Sequence, residues 1–224
     1  MELNKNTVDL YELLHRENGE ILYEGADGCI VRTPGKGTVM SDITDGAALR
    51  EALRELHMPE LDLMVVKSEA AVQTLRRERG FTGANPCTQW CYMKKEPPVQ
   101  MPCEIRPLTE VYAAVAGAQY HHREDYIQER ISSGRMWGLF ENGALAGFIG
   151  VHTEGAMGML EIFPDFRRRG YGYALEAWLI AWHLAQGWTP YCHVVAGNDA
   201  SAHLQHKLGL EPAEQPAIWT WRED

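Results

Sequence analysis

The feature that most constrains this chain is that its two halves read alike. Moving the first half forward by 129 positions lays Val65-Val66 on Val194-Val195, Ala71 on Ala200, Leu75 on Leu204, Gly80 on Gly209 and Trp90 on Trp219. The matches fall on the same succession in each half: an apolar strand, a helix ended by glycine, then a strand carrying a tryptophan. Gly80 and Gly209 each suit the left-handed residue that closes a helix, a conformation that costs a residue with a Cβ. A period of this kind points to one supersecondary unit used twice. Between the copies stands Lys94-Lys95-Glu96-Pro97-Pro98. Charges followed by two prolines continue neither a strand nor a helix, so the expected division is 1–96 and 97–224.

Composition narrows the partners. The 224 residues are 45% hydrophobic, enough to bury one large core or two small ones. The formal charge of -10 argues against a sequence-independent grip on nucleic acid, which needs a basic surface. The five cysteines, Cys29, Cys87, Cys91, Cys103 and Cys192, are odd in number and contain no Cys-x-x-Cys. They read as thiols of a reducing cytosol, with no zinc set and no metal expected. Met1-Glu2-Leu3-Asn4-Lys5 has no signal-peptide core, and no apolar run approaches the ~18 residues of a membrane span. A cytoplasmic protein without membrane contact is the expectation.

Periodicity predicts the elements. In the second half, helical segments fall near 108–118 and 123–132. A hairpin follows, 135–141 and 144–152, turning on Asn142-Gly143, a strong two-residue turn signal. A strand at 157–163 leads to a long helix at 170–186, with Leu175, Leu179 and Trp182 at helical spacing. A strand at 191–195, a helix at 199–208 and a last strand near 218–221 complete it. The first half gives a hairpin at 20–31, a strand at 38–43, a helix at 47–57, a strand at 61–66 and a helix at 69–79. Strands with helices interleaved late in each unit predict an α/β fold built on a mixed sheet, of α+β character.

The chemistry-bearing stretch is Ile162-Phe163-Pro164-Asp165-Phe166-Arg167-Arg168-Arg169-Gly170-Tyr171-Gly172-Tyr173-Ala174. A strand ends and a helix begins across a turn with two glycines. The first helical turn leaves N–H groups without partners and carries the positive end of the helix dipole. Glycines let a phosphate approach those donors, and three arginines add charge. The order is neither that of a Walker loop nor that of the three-glycine dinucleotide fingerprint. A plain surface turn with a solvated basic run is the alternative.

Pro164-x-x-Arg167-x-x-Gly170-x-Gly172-x-Ala174 after a strand resembles the acyl-CoA-binding motif of the GNAT superfamily of N-acyltransferases. Asn198-x-x-Ser201-x-x-Leu204-x-x-Lys207-x-Gly209-Leu210 is similar to that superfamily's next motif. Pro190-Tyr191-Cys192-His193-Val194 resembles the glycine N-acyltransferase-like branch. The resemblance covers roughly 102–221 and reaches the first half only through the repeat. It implies two GNAT-like units in tandem, the second binding acetyl-CoA or another acyl-CoA. N–H groups from Arg168 through Arg169, Gly170, Tyr171 and Gly172 to Tyr173 would then hold the pyrophosphate, with Arg167 and Ala174 in the same motif. The strand edge at Glu161, Ile162 and Phe163 would pair with the pantetheine arm, and Asn198 and Ser201 would lie along it. Asn198 also suits a helix N-cap. At the corresponding place in the first half stands Asp42-Ile43-Thr44-Asp45-Gly46, acidic where a phosphate would sit, so that copy reads as degenerate.

The reaction so implied is attack of an amine on an acyl thioester. Glu161 and Glu154 are the candidate bases. Glu161 alternates away from the face of Leu160 and Ile162, and an exposed strand face explains it equally well. His193 is a third candidate, against the reading of a satisfied core histidine. Where the superfamily commonly has a tyrosine acid, after Leu204, this chain has Gln205, flanked by His203 and His206. Thiolate protonation then falls to water or another tyrosine, or activity has faded. Tyr120 and His121, in the stretch 119–124, are candidates for the wall of the amine pocket, with plain helix surface as the alternative. Trp219 and Trp221 share a strand face and read as core or pocket lining. The expected function is acyl transfer from acetyl-CoA or a related acyl-CoA to a small-molecule or amino-acid amine; a non-catalytic acyl-CoA-binding or sensing protein is the rival. The first half could shape the acceptor site or mediate a homodimer.

Overall fold

The computed structural model describes residues 2–16, 19–34, 37–58, 60–120 and 124–223. They form two compact units. One comprises Met1–Cys91, His193–Ala202 and Glu211–Asp224, the other Tyr92–Cys192 and His203–Leu210.

The first half runs β1 (Glu20–Gly25), β2 (Gly28–Arg32), β3 (Val39–Ser41), α2 (Gly46–Leu56), β4 (Leu63–Val66), α3 (Glu69–Arg79) and β5 (Gly83–Cys91), preceded by α1 (Val8–His15). After β6 (Glu104–Pro107), α4 (Ala113–Tyr120) and α5 (Glu124–Ser132), the same seven-element order recurs. It runs β7 (Met136–Glu141), β8 (Ala144–Val151), β9 (Met157–Ile162), α6 (Tyr171–Ala185), β10 (Tyr191–Val195), α7 (Asp199–Leu208) and β11 (Glu211–Trp221). The expected hairpin turn forms, with Asn142 and Gly143 at φ 50 and 80°. Gly80 and Gly209 both take the left-handed conformation expected of them, at φ 70 and 88°. Three elements escaped the pattern: α1, the short β6, and the extent of β11, which begins at Glu211 rather than near 218.

β6, β7, β8 and β9 form an antiparallel four-stranded sheet in that order. It is covered by a core in which Phe140, Phe148, Met136 and Met159 meet Ile127 and Ile131 of α5 and Ala116 of α4. The other sheet has seven strands in the order β1-β2-β3-β4-β11-β5-β10. β3 and β4 are parallel and the flanking pairs antiparallel, so the sheet is mixed, as expected. Leu49, Leu53, Met64, Val66 and Leu75 pack one of its cores, and Leu10, Leu13, Val31 and Val65 another.

The compact units are not continuous in sequence, so a cut at 96/97 does not separate them. β11, from the end of the chain, lies between β4 and β5: Trp219 is opposite Val65 on one side and Asn85 on the other. A buried polar network fixes this arrangement. The Lys67 ammonium, just after β4, donates to Asp9 (α1) at 2.5 Å and to the Gln89 side-chain carbonyl (β5) at 3.0 Å. His193 (β10) bonds Gln89 through Nε2 at 2.9 Å and accepts from the Trp219 indole N–H at 3.1 Å. The His193 ring is thus held between Gln89 and Trp219, with Asp9 Oδ2 3.8 Å from its Nε2, the setting of a core histidine. No helix among the described residues is long and apolar enough to cross a membrane.

A fragment comprising residues 1–96 lacks β11 and so leaves β4 and β5 without their shared partner. It is expected to show no cooperative unfolding transition in urea by circular dichroism, whereas the full chain does. A cooperative transition in the fragment would contradict the role given to β11.

Candidate functional site

β9 is the last strand of its sheet, so its outer edge has no strand partner there among the described residues. Its pairing with β8 is irregular. Phe148 faces Glu161 and Gly150 faces Gly158, so two residues, Met159 and Leu160, oppose the single Ile149. Met159 takes φ 53°, the left-handed region, inside a strand. This is a β-bulge, a device that re-aims backbone groups beside functional sites. The Met159 N–H bonds the hydroxyl of Tyr120. Burial raises the Tyr120 pKa, and the charges of Glu154 and Glu161 add to the rise. Tyr120, one of the two residues expected to line the amine pocket, therefore sits among both candidate bases and the bulge. His121 lies outside the described residues.

The two glutamates differ. Glu154 is buried, with the Thr153 hydroxyl at 3.3 Å, and its backbone carbonyl accepts from the Tyr191 hydroxyl at 2.7 Å. Tyr126 lies near it, its ring stacked on His152 and its hydroxyl 2.8 Å from His152 Nδ1. Burial, then Glu154, pushes the Tyr126 pKa up. Glu161 is a quarter exposed and accepts from the Arg167 guanidinium at 2.9 Å. Arg167 also donates through Nε to the Ile162 carbonyl at 2.9 Å. Its side chain is thus folded back along the strand end. Phe163 is anchored by its N–H to the Ala146 carbonyl at 3.0 Å and by its ring against Phe148.

Beyond a single 3₁₀ turn at Pro164–Phe166, Arg168 and Gly170 both take left-handed backbone, at φ 66 and 83°. Gly170 is the N-cap of α6 and offers no side chain, so no side-chain oxygen caps the helix. The first intrahelical bond is Ala174 N–H to the Gly170 carbonyl. The N–H groups of Tyr171, Gly172 and Tyr173 are the first-turn donors. A Cβ on Gly172 would meet only ordinary contacts, Leu204 at 3.8 Å and Ile162 at 3.9 Å, so α6 packs here on α7 and the end of β9. The arginines are not equivalent. Arg167 is paired with Glu161, and Arg169 donates to Glu141 at 2.6 Å, which also accepts from the Tyr171 hydroxyl. Among the described residues Arg168 has no ion-pair partner, so it is the cation left for an anion.

The corresponding helix of the first half is built differently. Asp45 caps α2, its carboxylate accepting from Ala47 and Ala48 N–H at 2.9 and 2.8 Å. Asp42 is likewise engaged, accepting from Cys29 N–H at 2.7 Å. A protein carboxylate thus fills the place that α6 leaves open.

Other residues have plainer settings. Asn198 caps α7, its side-chain oxygen accepting from Ser201 N–H at 3.1 Å. His203 and His206 are exposed on α7, whereas Gln205 is buried and lies against Glu176 of α6. Burial raises the thiols of Cys29 and Cys91 to about 12 and that of Cys87 to about 11, which leaves these three unreactive at neutral pH. Two site features had faint signals in the sequence: Gly158 inside a strand hinted at the bulge, and Glu176 is a lone charge in an apolar run.

The capping difference can be checked directly. Asp45→Ala should lower unfolding stability by about 1 kcal/mol in urea titration, the usual worth of an N-cap. An unchanged midpoint would mean that the carboxylate does not occupy those donors.

A family model described as FR47-like protein matches residues 136–219. No curated protein matches the chain in sequence. Among solved structures, a Drosophila protein is 19% identical with a TM-score of 0.67, covering 98% of this chain and 90% of its own. A Novosphingobium aromaticivorans protein described as an acetyltransferase of the GNAT family is 17% identical with a TM-score of 0.62, covering 99% and 100%. A GCN5-related N-acetyltransferase-like protein of Streptococcus suis is 14% identical with a TM-score of 0.57, covering 96% and 92%. At these identities the shared property is the fold, and the chain has the α/β fold of the GNAT superfamily of N-acyltransferases.

Proposed function

We propose that this protein transfers an acyl group from acetyl-CoA or a related acyl-CoA to the amine of a small molecule or amino acid. The observation that carries this reading is the uncapped first turn of α6, with Arg168 and Gly170 in left-handed backbone, beside the open edge of a bulged strand. The N–H groups from Arg168 to Tyr173 and the Arg168 guanidinium supply donors and charge for a pyrophosphate. The β9 edge at Glu161–Phe163 offers backbone groups to an amide-bearing arm. Asn198 and Ser201 are assigned to that arm by the resemblance alone.

An acyl thioester brings the electrophilic carbonyl carbon; the protein must supply a neutral amine and an environment for the developing charge. Glu161 and Glu154 are the groups that take the proton from an incoming ammonium. A backbone N–H near the end of β9 is assigned to the developing negative oxygen. Tyr120, which feels the charges of Glu154 and Glu161, is assigned to the wall of the amine pocket. The first half, its helix start filled by Asp45, is a module without a cofactor of its own, so one CoA binds per chain. Non-catalytic binding or sensing is the second reading, favoured by Gln205: a buried amide stands where the superfamily commonly has an acid.

Calorimetry is expected to give one CoA per chain. Gly170→Val should weaken binding more than about tenfold, because its Cβ forces the left-handed cap out of place and removes donors worth about 1.5–3 kcal/mol each toward a charged group. Two CoA per chain, or an unchanged affinity in Gly170→Val, would refute the placement.

Release of free thiol across an amine panel separates catalysis from sensing. In that assay Glu161→Gln should lower turnover about 100-fold, well beyond the smaller change in CoA affinity that follows from releasing Arg167, and part of the loss should return at high pH. A larger loss in Glu154→Gln would transfer the role to that residue. If neither loss appears, positioning alone carries the rate.

A further inference from the structure

The cations of the unit that comprises Tyr92–Cys192 and His203–Leu210 are unequally partnered. Arg106, Arg130, Arg167 and Arg169 each hold a carboxylate, those of Glu104, Glu129, Glu161 and Glu141. Lys94 and Lys207 are exposed, and neither holds a carboxylate among the described residues.

These two lysines stand beside the start of α6. The Lys207 ammonium lies over the Tyr173 ring, 5.4 Å from its centroid. Tyr173 is the third residue of α6, and its N–H is one of the first-turn donors. Gly209 follows Lys207 by two residues and closes α7 in left-handed backbone, at φ 88°. The Lys94 ammonium stands on that glycine, 2.6 Å from the point a Cβ would occupy, and the edge of the Tyr92 ring is 3.9 Å from the same point. From there the chain crosses from the end of α7 to the start of α6. Gln100 donates through its side-chain N–H to the Ala177 carbonyl of α6 at 3.0 Å. The Met101 methyl lies 3.2 Å, and its sulfur 3.5 Å, from the Cβ position of Gly170, the N-cap of α6. Met101 is still 37% exposed, so a polarisable apolar side chain is left open beside the cap, where it can meet a flat ring.

These features suit the part of CoA that the helix start leaves unread. The first-turn donors and Arg168 serve the pyrophosphate. Beyond it the ligand carries an adenosine and, on its ribose, a phosphomonoester that is close to a dianion at neutral pH. We propose that Lys94 and Lys207 form a separate subsite for that 3′-phosphate, with Met101 against the adenosine. The segment that joins the two halves then selects a nucleotide-bearing acyl donor over a bare acyl phosphopantetheine. The inference rests on the reading of the α6 start as the CoA site. Ammonium groups fit the task. Each is a compact cation with three donors on a flexible stem, and it can follow a phosphate at the surface without the fixed plane of a guanidinium.

The test compares CoA with dephospho-CoA, which keeps the pantetheine, pyrophosphate and adenosine and lacks only the 3′-phosphate. Calorimetry on the full chain near neutral pH should show CoA bound about tenfold more tightly than dephospho-CoA, the scale of two exposed charge-assisted contacts. In the double variant Lys94→Ala/Lys207→Ala, CoA should fall to the affinity of dephospho-CoA, while dephospho-CoA binds as it does to the parent. Met101→Ala should weaken both ligands alike, by about threefold, because both carry the adenosine. Equal affinities in the parent overturn the subsite and leave the pyrophosphate site standing. A double variant that weakens both ligands alike has lost only general positive field, and that also overturns it. If the lysines merely offset the negative end of the α7 dipole, the double variant melts at lower temperature and keeps the parent's preference for CoA, which overturns it too. No loss in Met101→Ala overturns the place given to Met101. If the parent binds neither ligand, the reading of the α6 start fails, and the subsite falls with it.

Discussion

A helix start that nothing caps is the constraint around which the second half is organised. Backbone donors in a first turn need partners, and proteins usually provide them from a side chain at the N-cap. The chain does so at α2, where Asp45 takes two N–H groups, and at α3, where the Ser68 hydroxyl accepts from Ala71 N–H at 3.1 Å. At α6 the cap is Gly170, with no side chain to give. The donors left there, the dipole of a 15-residue helix and the unpaired Arg168 add up to a preference for an anion in a protein of net charge -10.

The remaining charges around that start serve geometry more than attraction. Glu141 holds Arg169 and Tyr171 together, and Glu161 with the Ile162 carbonyl holds Arg167. These contacts fix the turn between β9 and α6 before any ligand arrives. Glu161 is thereby both a candidate base and a partner of the loop, so freeing it for chemistry means loosening Arg167. In the first unit the polar resources are spent differently. Lys67, Asp9, Gln89, His193 and Trp219 form a polar network around an inserted strand.

Much of this was legible in the sequence, because local rules and global fold agreed. Asn142-Gly143 set the hairpin, Gly80 and Gly209 ended their helices, and the glycine-arginine turn marked the start of α6 within one residue. The unread parts depend on contacts distant in sequence. Nothing local tells β11 to lie between β4 and β5 rather than beside β10, nor His193 to meet Gln89. Counting three arginines overstated the free charge, since pairing with Glu141 and Glu161 requires knowing where β7 and β9 end. Strand alternation for Glu161 assumed a regular strand, and the left-handed Met159 breaks it two residues earlier. Gln205 read as a neutral amide where the superfamily commonly has an acid, and its burial needed the fold to be seen.

The most direct measurement is a titration of the ¹⁵N-labelled chain with CoA, followed by amide chemical shifts. The largest shifts are expected at Tyr171, Gly172 and Tyr173, with Ala47 and Ala48 unmoved because Asp45 already holds their N–H groups. Shifts centred on Ala47 and Ala48, or none at the start of α6, would contradict it.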